Sequence, residues 1–325
     1  MAADFQTLIV SGFRAEARDV VLVELRDPTG AALPTFEPGA HLEITLPLAA
    51  GESKPLIRHY SICSDPADCT RYVVAVGRAA DSRGGSAMMH EQIRVGAMLS
   101  VKGPRNNFPL APDAARYRFV AGGIGITPIM AMIHWCEAQG TPWTLLYLCR
   151  SRQRSAFYED LRGYGDRVTL HFDEEVQGPY ADLAEALSGP QVDEHLYCCG
   201  PGALMHAVED GAAGWPQGTV HFEWFGGAAP IAPDAPSEGF EVVLRKSGIT
   251  IQVGEDQSIL EAVEANGIDA PFVCREGMCR TCEVAICAGE ADHRDIVLSD
   301  EERAAQQVMM ICVSRSKTRV LELDL

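Results

Sequence analysis

The chain has 325 residues, 47% of them hydrophobic and 22% charged, and a formal net charge of -18. That length exceeds what one hydrophobic core usually organises, so two or three domains are expected, and so acidic a chain lacks the clustered Lys and Arg that grip nucleic acid. Eleven cysteines are many, yet Cys63, Cys69, Cys136, Cys149, Cys198, Cys199 and Cys287 follow no framework spacing, which speaks for free thiols in a reducing cytoplasm rather than a disulfide scaffold.

The opening residues, Met1-Ala-Ala-Asp-Phe-Gln, lack the basic start and apolar run of a signal peptide, and no stretch reaches bilayer-spanning length. A cytoplasmic monomer without membrane contact is expected. Residues 1–110 then read as short strands, Leu8-Ile-Val, Val20 to Leu25, His41 to Leu46 and Arg71 to Val76, broken at Asp27-Pro-Thr-Gly and Glu37-Pro-Gly. An antiparallel β-barrel follows from that pattern. Two segments in it carry chemistry. Arg58-His59-Tyr60-Ser61 offers a cation, an aromatic ring and a hydroxyl at the start of a strand. Ser82-Arg83-Gly84-Gly85-Ser86 enters a helix at Ala87, and its backbone N–H groups suit a phosphate. Read singly, each is more often plain strand and loop.

In this order, however, the two segments resemble the flavin domain of the ferredoxin reductase-like superfamily. The resemblance implies that Tyr60 packs on the isoalloxazine, with His59 and Val76 lining it, and that Ser61 lies near its reactive N5. Arg58, Arg83, Gly84, Gly85 and Ser86 would hold the flavin phosphate. No segment suits an adenosine half, so FMN is expected, with FAD the alternative.

Residues 111–226 alternate strands with helices, the mark of a doubly wound α/β sheet. Strands are expected at Tyr117 to Ala121, Thr144 to Leu148, Val168 to Phe172, His195 to Cys199 and Val220 to Phe225. Gly122-Gly123-Ile124-Gly125-Ile126-Thr127-Pro128 is the first strand-to-helix turn, where dinucleotides bind. It departs from the Rossmann fingerprint, since Pro128 replaces the third glycine and the second strand ends in Cys149-Arg150 rather than an acid. Taken with Cys199-Gly200-Pro201, it resembles the nicotinamide domain of the same superfamily. By that resemblance Cys199 lies beside the nicotinamide, Gly200 and Pro201 shape its pocket, and Phe225 closes over the flavin. NADH is expected over NADPH, although Arg150, Arg152 and Arg154 would suit a 2'-phosphate.

Residues 227–238 are rich in Pro and Ala without periodicity and read as a tether. In residues 239–325, Glu241 to Arg245 and Thr250 to Val253 alternate as a hairpin, and Ser258 to Asn266 reads as a helix ending before Gly267. Cys274, Cys279 and Cys282, with Cys312 thirty residues on, have the plant-type [2Fe-2S] ligand spacing. Structural zinc would instead show two Cys-x2-Cys knuckles. Gly277 lets the loop curl. The segment resembles a plant-type ferredoxin, an α+β β-grasp fold, except that Arg280 stands where Gly, Ala or Ser is usual. A cation there would raise the cluster potential or face a partner.

Flavin barrel, α/β nucleotide domain and C-terminal ferredoxin, in that order, resemble the reductases of phthalate dioxygenase and vanillate demethylase. The resemblance implies an electron-transfer component that takes NADH as donor, carries FMN and a [2Fe-2S] cluster, and reduces a Rieske-type oxygenase. The alternatives are a flavin iron-sulfur enzyme acting directly on an organic substrate, the reductase of a di-iron or haem oxygenase, and a bare one-electron carrier.

Overall fold

The computed structural model describes residues 5–47, 55–78, 84–180, 182–225, 239–255, 257–272, 277, 280–295, 297, 298 and 300–325, the side chains of 300 and 301 excepted. Arg83, Cys274, Cys279 and the 227–238 tether lie outside the described residues. The chain divides into two compact units, Met1–Phe225 and Gly226–Leu325.

The first unit opens with β1 (Phe5–Ala17), β2 (Val20–Arg26), β3 (Ala40–Thr45), β4 (Ile57–Ser61), β5 (Tyr72–Gly77), α1 (Gly85–Glu91) and β6 (Met98–Asn106). The strands pair antiparallel in the order β4-β3-β6-β1-β2-β5. The sheet curls far enough for Ile62, just past β4, to bridge Val74 of β5. Strand alternation fills both faces: Val21, Val23 and Leu25 of β2 enter the barrel core, while Val20 and Leu22 join a second apolar cluster outside it. Sequence periodicity locates β2, β3 and β5 closely. It shortens β1 and misses β6, where Lys102, Pro104 and Arg105 dilute the apolar pattern.

There follow β7 (Arg116–Gly122), α2 (Ile126–Gln139), β8 (Trp143–Cys149), α3 (Tyr158–Arg162), β9 (Val168–Phe172), α4 (Asp173–Val176), α5 (Leu183–Leu187), β10 (Glu194–Gly200), α6 (Gly202–Gly211) and β11 (Val220–Trp224). The five strands are parallel in the order β11-β10-β7-β8-β9, so the topological switch point lies between β7 and β10. Helix α2 is buried on nearly every side, from Ile126 through Ile133. Its Ile129, Met130, Met132 and Ile133 share one cluster with Phe119 and Tyr147 of the sheet and with Val20, Leu22 and Ala75 of the barrel, and Ala131 enters the barrel core. Two segments that look distinct in sequence are therefore one unit in packing.

The second unit contains β12 (Phe240–Leu244), β13 (Ile249–Val253), α7 (Ile259–Ala265), β14 (Glu283–Ala288), β15 (Ala291–Asp292), α8 (Asp300–Ala305), β16 (Val308–Met310), β17 (Arg315–Ser316) and β18 (Val320–Leu323). Its main sheet is mixed, in the order β13-β12-β18-β14-β16, with β12 parallel to β18. A capping box between Ser258 and Glu261 starts α7, and Leu260 and Val263 turn its apolar face into a core that belongs to this unit alone. Among the described residues no helix is long and apolar enough to cross a membrane.

Candidate functional site

At the switch point the barrel and the parallel sheet bring three side chains together. Ser61 ends β4, and its hydroxyl donates to Glu223 Oε2 at 3.4 Å. Glu223 sits opposite Cys199 in the β10–β11 register, and Cys199 opposite Ala121 of β7. Glu223 is partly accessible as a residue, yet burial dominates its carboxyl and pushes it up to about 8, with the Ser61 hydrogen bond opposing the shift. The carboxyl's partner is the neutral Ser61 hydroxyl, and among the described residues no ion pair offsets the burial. Burial, and then the Glu223 charge, pushes the Cys199 thiol well above its ordinary range. Near neutral pH both groups hold their protons.

Ser61 and Cys199 were expected from sequence; Glu223 was not. An acid inside an alternating strand reads as the solvent face, and only the approach of β4 reveals it as enclosed.

Beside Ser61, the Tyr60 hydroxyl is buried without a hydrogen-bond partner, and burial pushes its phenol up to about 12. An unpaired buried hydroxyl costs about 1–3 kcal/mol, so the position fits a ligand that brings a polar atom. Gly84 enters α1 at φ 86. A Cβ on Gly85 would stand 2.7 Å from Arg58 Cγ, so the missing side chain is what lets Arg58 lie across the start of α1. A cation against a glycine-led helix start fits a phosphate. His59 meets His41 edge-on at 5.3 Å. Val76 points into the barrel core, and its carbonyl meets His90 Nε2 at 2.9 Å.

The glycine turn divides into two roles. A Cβ on Gly122 would come within 2.6 Å of Pro201 Cδ, and one on Gly125 would overlap the Cys199 carbonyl, so both serve the close approach of β7 to the end of β10. Gly200 faces Gly122 Cα at the same crossing. Gly123, at φ 52, meets nothing within 4 Å and leaves the turn open on that side. The Thr127 hydroxyl donates to the Ile124 carbonyl at 3.1 Å, and Pro128 sits in the first turn of α2, where its missing N–H is harmless. Phe225 follows β11 and is 38% exposed.

In the second unit, pairing of β14 with β16 brings the neighbourhoods of Cys282 and Cys312 together, and the Ile311 amide donates to the Cys282 carbonyl at 3.3 Å. Both cysteines are buried. Gly277, at φ 73, packs so tightly that a Cβ would stand 2.9 Å from Asp295 Cα. Two buried cysteines on neighbouring backbone segments fit half of a thiolate-held iron site. Arg280 adopts φ 57 and donates to Glu283 at 2.8 Å and to Glu302 at 2.6 Å.

A family model described as "2Fe-2S iron-sulfur cluster binding domain" matches residues 242–317, a span that includes all four expected ligands. The phenoxybenzoate dioxygenase subunit beta of Ectopseudomonas oleovorans is 46% identical over 95% of this chain and 94% of its own length. The vanillate O-demethylase oxidoreductase of Pseudomonas putida is 40% identical over 95% and 96%. The solved structure of phthalate dioxygenase reductase, titled a modular structure for electron transfer from pyridine nucleotides to [2Fe-2S], superposes with a TM-score of 0.80 at 38% identity, over 99% of this chain and 98% of that one. The chain belongs to the phthalate dioxygenase reductase and vanillate O-demethylase reductase family.

Proposed function

We propose that this chain is the reductase component of an aromatic-ring oxygenase or O-demethylase system, passing electrons from NADH through FMN and a [2Fe-2S] cluster to the oxygenase. In this reading residues 1–110 take the flavin, residues 111–226 the nicotinamide nucleotide and residues 239–325 the cluster, with 227–238 as tether. The observation that carries it is the meeting of Ser61, Cys199 and Glu223 where barrel and sheet touch, because a two-cofactor reaction needs both half-sites at one seam.

Bound there, FMN would supply the conversion of a two-electron hydride donor into single electrons for the cluster. The residues do the positioning. Tyr60 offers its ring and an unpaired hydroxyl, Arg58 with Gly84, Gly85 and Ser86 forms the anion end, and Arg83 is assigned there by resemblance. Ser61 presents its hydroxyl, and protonated Glu223 keeps a proton within reach of it. Cys199 stays a thiol and fills the floor beside Gly200 and Pro201. Cys274, Cys279, Cys282 and Cys312 would hold the iron.

The visible spectrum of the purified chain tests the whole scheme. Flavin bands overlaid on iron-sulfur absorption, both bleached by NADH, are expected. A colourless protein, or one whose flavin ignores NADH, would sink the proposal.

A further inference from the structure

The carboxyl ends of β8 and β9 lie side by side, and the residues that follow them carry opposite charge. Arg150, Arg152 and Arg154 follow β8, while Asp173, Glu174 and Glu175 form α4 directly after β9. The Glu174 amide donates to the Arg150 carbonyl at 2.9 Å, which ties the acidic turn to the basic one. Arg152 is held through three of its five N–H donors. Its Nε and Nη2 donate to the two Glu175 carboxylate oxygens, each at 3.1 Å, and its Nη1 donates to the Tyr158 hydroxyl at 2.6 Å. The same guanidinium lies 5.2 Å from the Tyr158 ring centroid and 5.3 Å from that of Phe172. A guanidinium whose Nε/Nη2 edge already holds a carboxylate bidentately is neutralised by it, so a second anion would meet that carboxylate's charge along with the cation's. Arg154 is paired as well, with Asp19 of the β1–β2 turn at 2.7 Å.

In a doubly wound sheet the end of the second strand, here β8, is where the adenosine ribose is read; an acid there favours a 2'-hydroxyl and an arginine a 2'-phosphate. Sequence alone shows only the three arginines. The fold adds Asp19, Asp173, Glu174 and Glu175, and it gives Arg152 and Arg154 carboxylate partners of their own.

We propose that Glu175, assisted by Asp19, is the specificity-determining residue of the nucleotide site: with Glu175 neutralising Arg152 and Asp19 neutralising Arg154, the site takes the 2'-hydroxyl form of the dinucleotide and rejects the 2'-phosphorylated form. This rests on the reading of residues 111–226 as the nicotinamide nucleotide domain. Glu175 acts through Arg152. Neutralising it would leave the Arg152 charge uncompensated and able to hold a phosphate.

The test is calorimetric titration of the full-length chain with 5'-AMP and with 2',5'-ADP, beside kcat/KM for NADH and NADPH. In Glu175→Gln the affinity ratio of 2',5'-ADP to 5'-AMP rises roughly tenfold, the size of one charge-assisted hydrogen bond, and the NADPH-to-NADH ratio rises with it. Adding Arg152→Ala to that variant returns both ratios to the wild-type values. Asp19→Asn gives a smaller rise in the same direction. An unmoved ratio in Glu175→Gln, with 5'-AMP still bound, overturns the proposal and leaves the nucleotide reading standing, and so does a gain that survives Arg152→Ala. A wild-type chain that binds neither probe and does not oxidise NADH overturns the reading, and the proposal with it.

Discussion

Glu223 shows how one side chain acquires chemistry from its neighbours. Burial raises its carboxyl from the ordinary 4.5 to about 8 in the folded chain. Between those values the native state holds a proton that the unfolded chain has released, so the group's contribution to stability falls as pH rises through that window and is lowest above it. Glu223→Gln removes the titration. We expect its thermal midpoint to exceed that of the wild type by more at about pH 9 than at about pH 5.5, and equal gaps at both would mean the carboxyl is ionised throughout. Ser61→Ala removes the hydrogen bond that holds the shift down. In that variant the pH profile of NADH-driven ferricyanide reduction should move its titration to higher pH. The cluster ligands are tested separately. Cys282→Ser should lose iron while keeping ferricyanide reduction, because that dye takes electrons at the flavin; full iron content would remove Cys282 from the ligand set.

Among the elements, the glycine turn between β7 and α2 shows that glycines in one motif answer different demands. At Gly125 a Cβ would run into the backbone carbonyl of Cys199, which cannot swing aside. At Gly123 the surrounding space is open and only the positive φ resists. Overpacking costs about 1–3 kcal/mol, whereas a left-handed non-glycine residue costs about 1–2 kcal/mol. Gly125→Ala should therefore lower the denaturant midpoint more than Gly123→Ala, and the reverse order would show that β10 can retreat. Arg280 illustrates compensation within the cluster loop. Its left-handed backbone carries the same penalty, and its two partly exposed ion pairs return about 0.2–1 kcal/mol each. Arg280→Gly should leave stability within about 1 kcal/mol of the wild type, as read from iron-sulfur absorbance in urea. With Glu283 and Glu302 balancing its charge, Arg280 serves the loop as a tie between β14 and α8.

For the molecule as a whole, the division into Met1–Phe225 and Gly226–Leu325 predicts what truncation does. A chain ending at Phe225 retains α2 with both surfaces it packs on, and should fold, bind flavin and reduce ferricyanide with NADH. It should fail to support an oxygenase and reduce cytochrome c far more slowly, because the single-electron exit lies in the second unit. Undiminished oxygenase turnover by the truncated chain would mean electrons leave directly from the flavin. A chain ending near residue 110 should behave differently. It would strip α2 from Val20, Leu22 and Ala75, expose an apolar face that monomers avoid, and aggregate.

What could be read without coordinates was local or covalent. Period-two strands such as β2, the switch to alternating strands and helices after residue 110, the short helix from Ser258 to Asn266 and the spacing of Cys274, Cys279, Cys282 and Cys312 all lie within a few residues of one another or carry a spacing that a single ligand geometry explains. Those features suffice for the fold class and for the family. What the tertiary structure decided depends on which strand lies next to which. Glu223 becomes a protonated group because the end of β4 meets β11 at Ser61, and Arg152 becomes an ion pair because the turn after β9 delivers Glu175 to the end of β8. Barrel and sheet become one unit because α2 is buried on nearly every side from Ile126 through Ile133. Burial and charge pairing are properties of neighbours in space, and in this chain those neighbours stand 162 residues apart for Ser61 and Glu223, and 23 apart for Arg152 and Glu175.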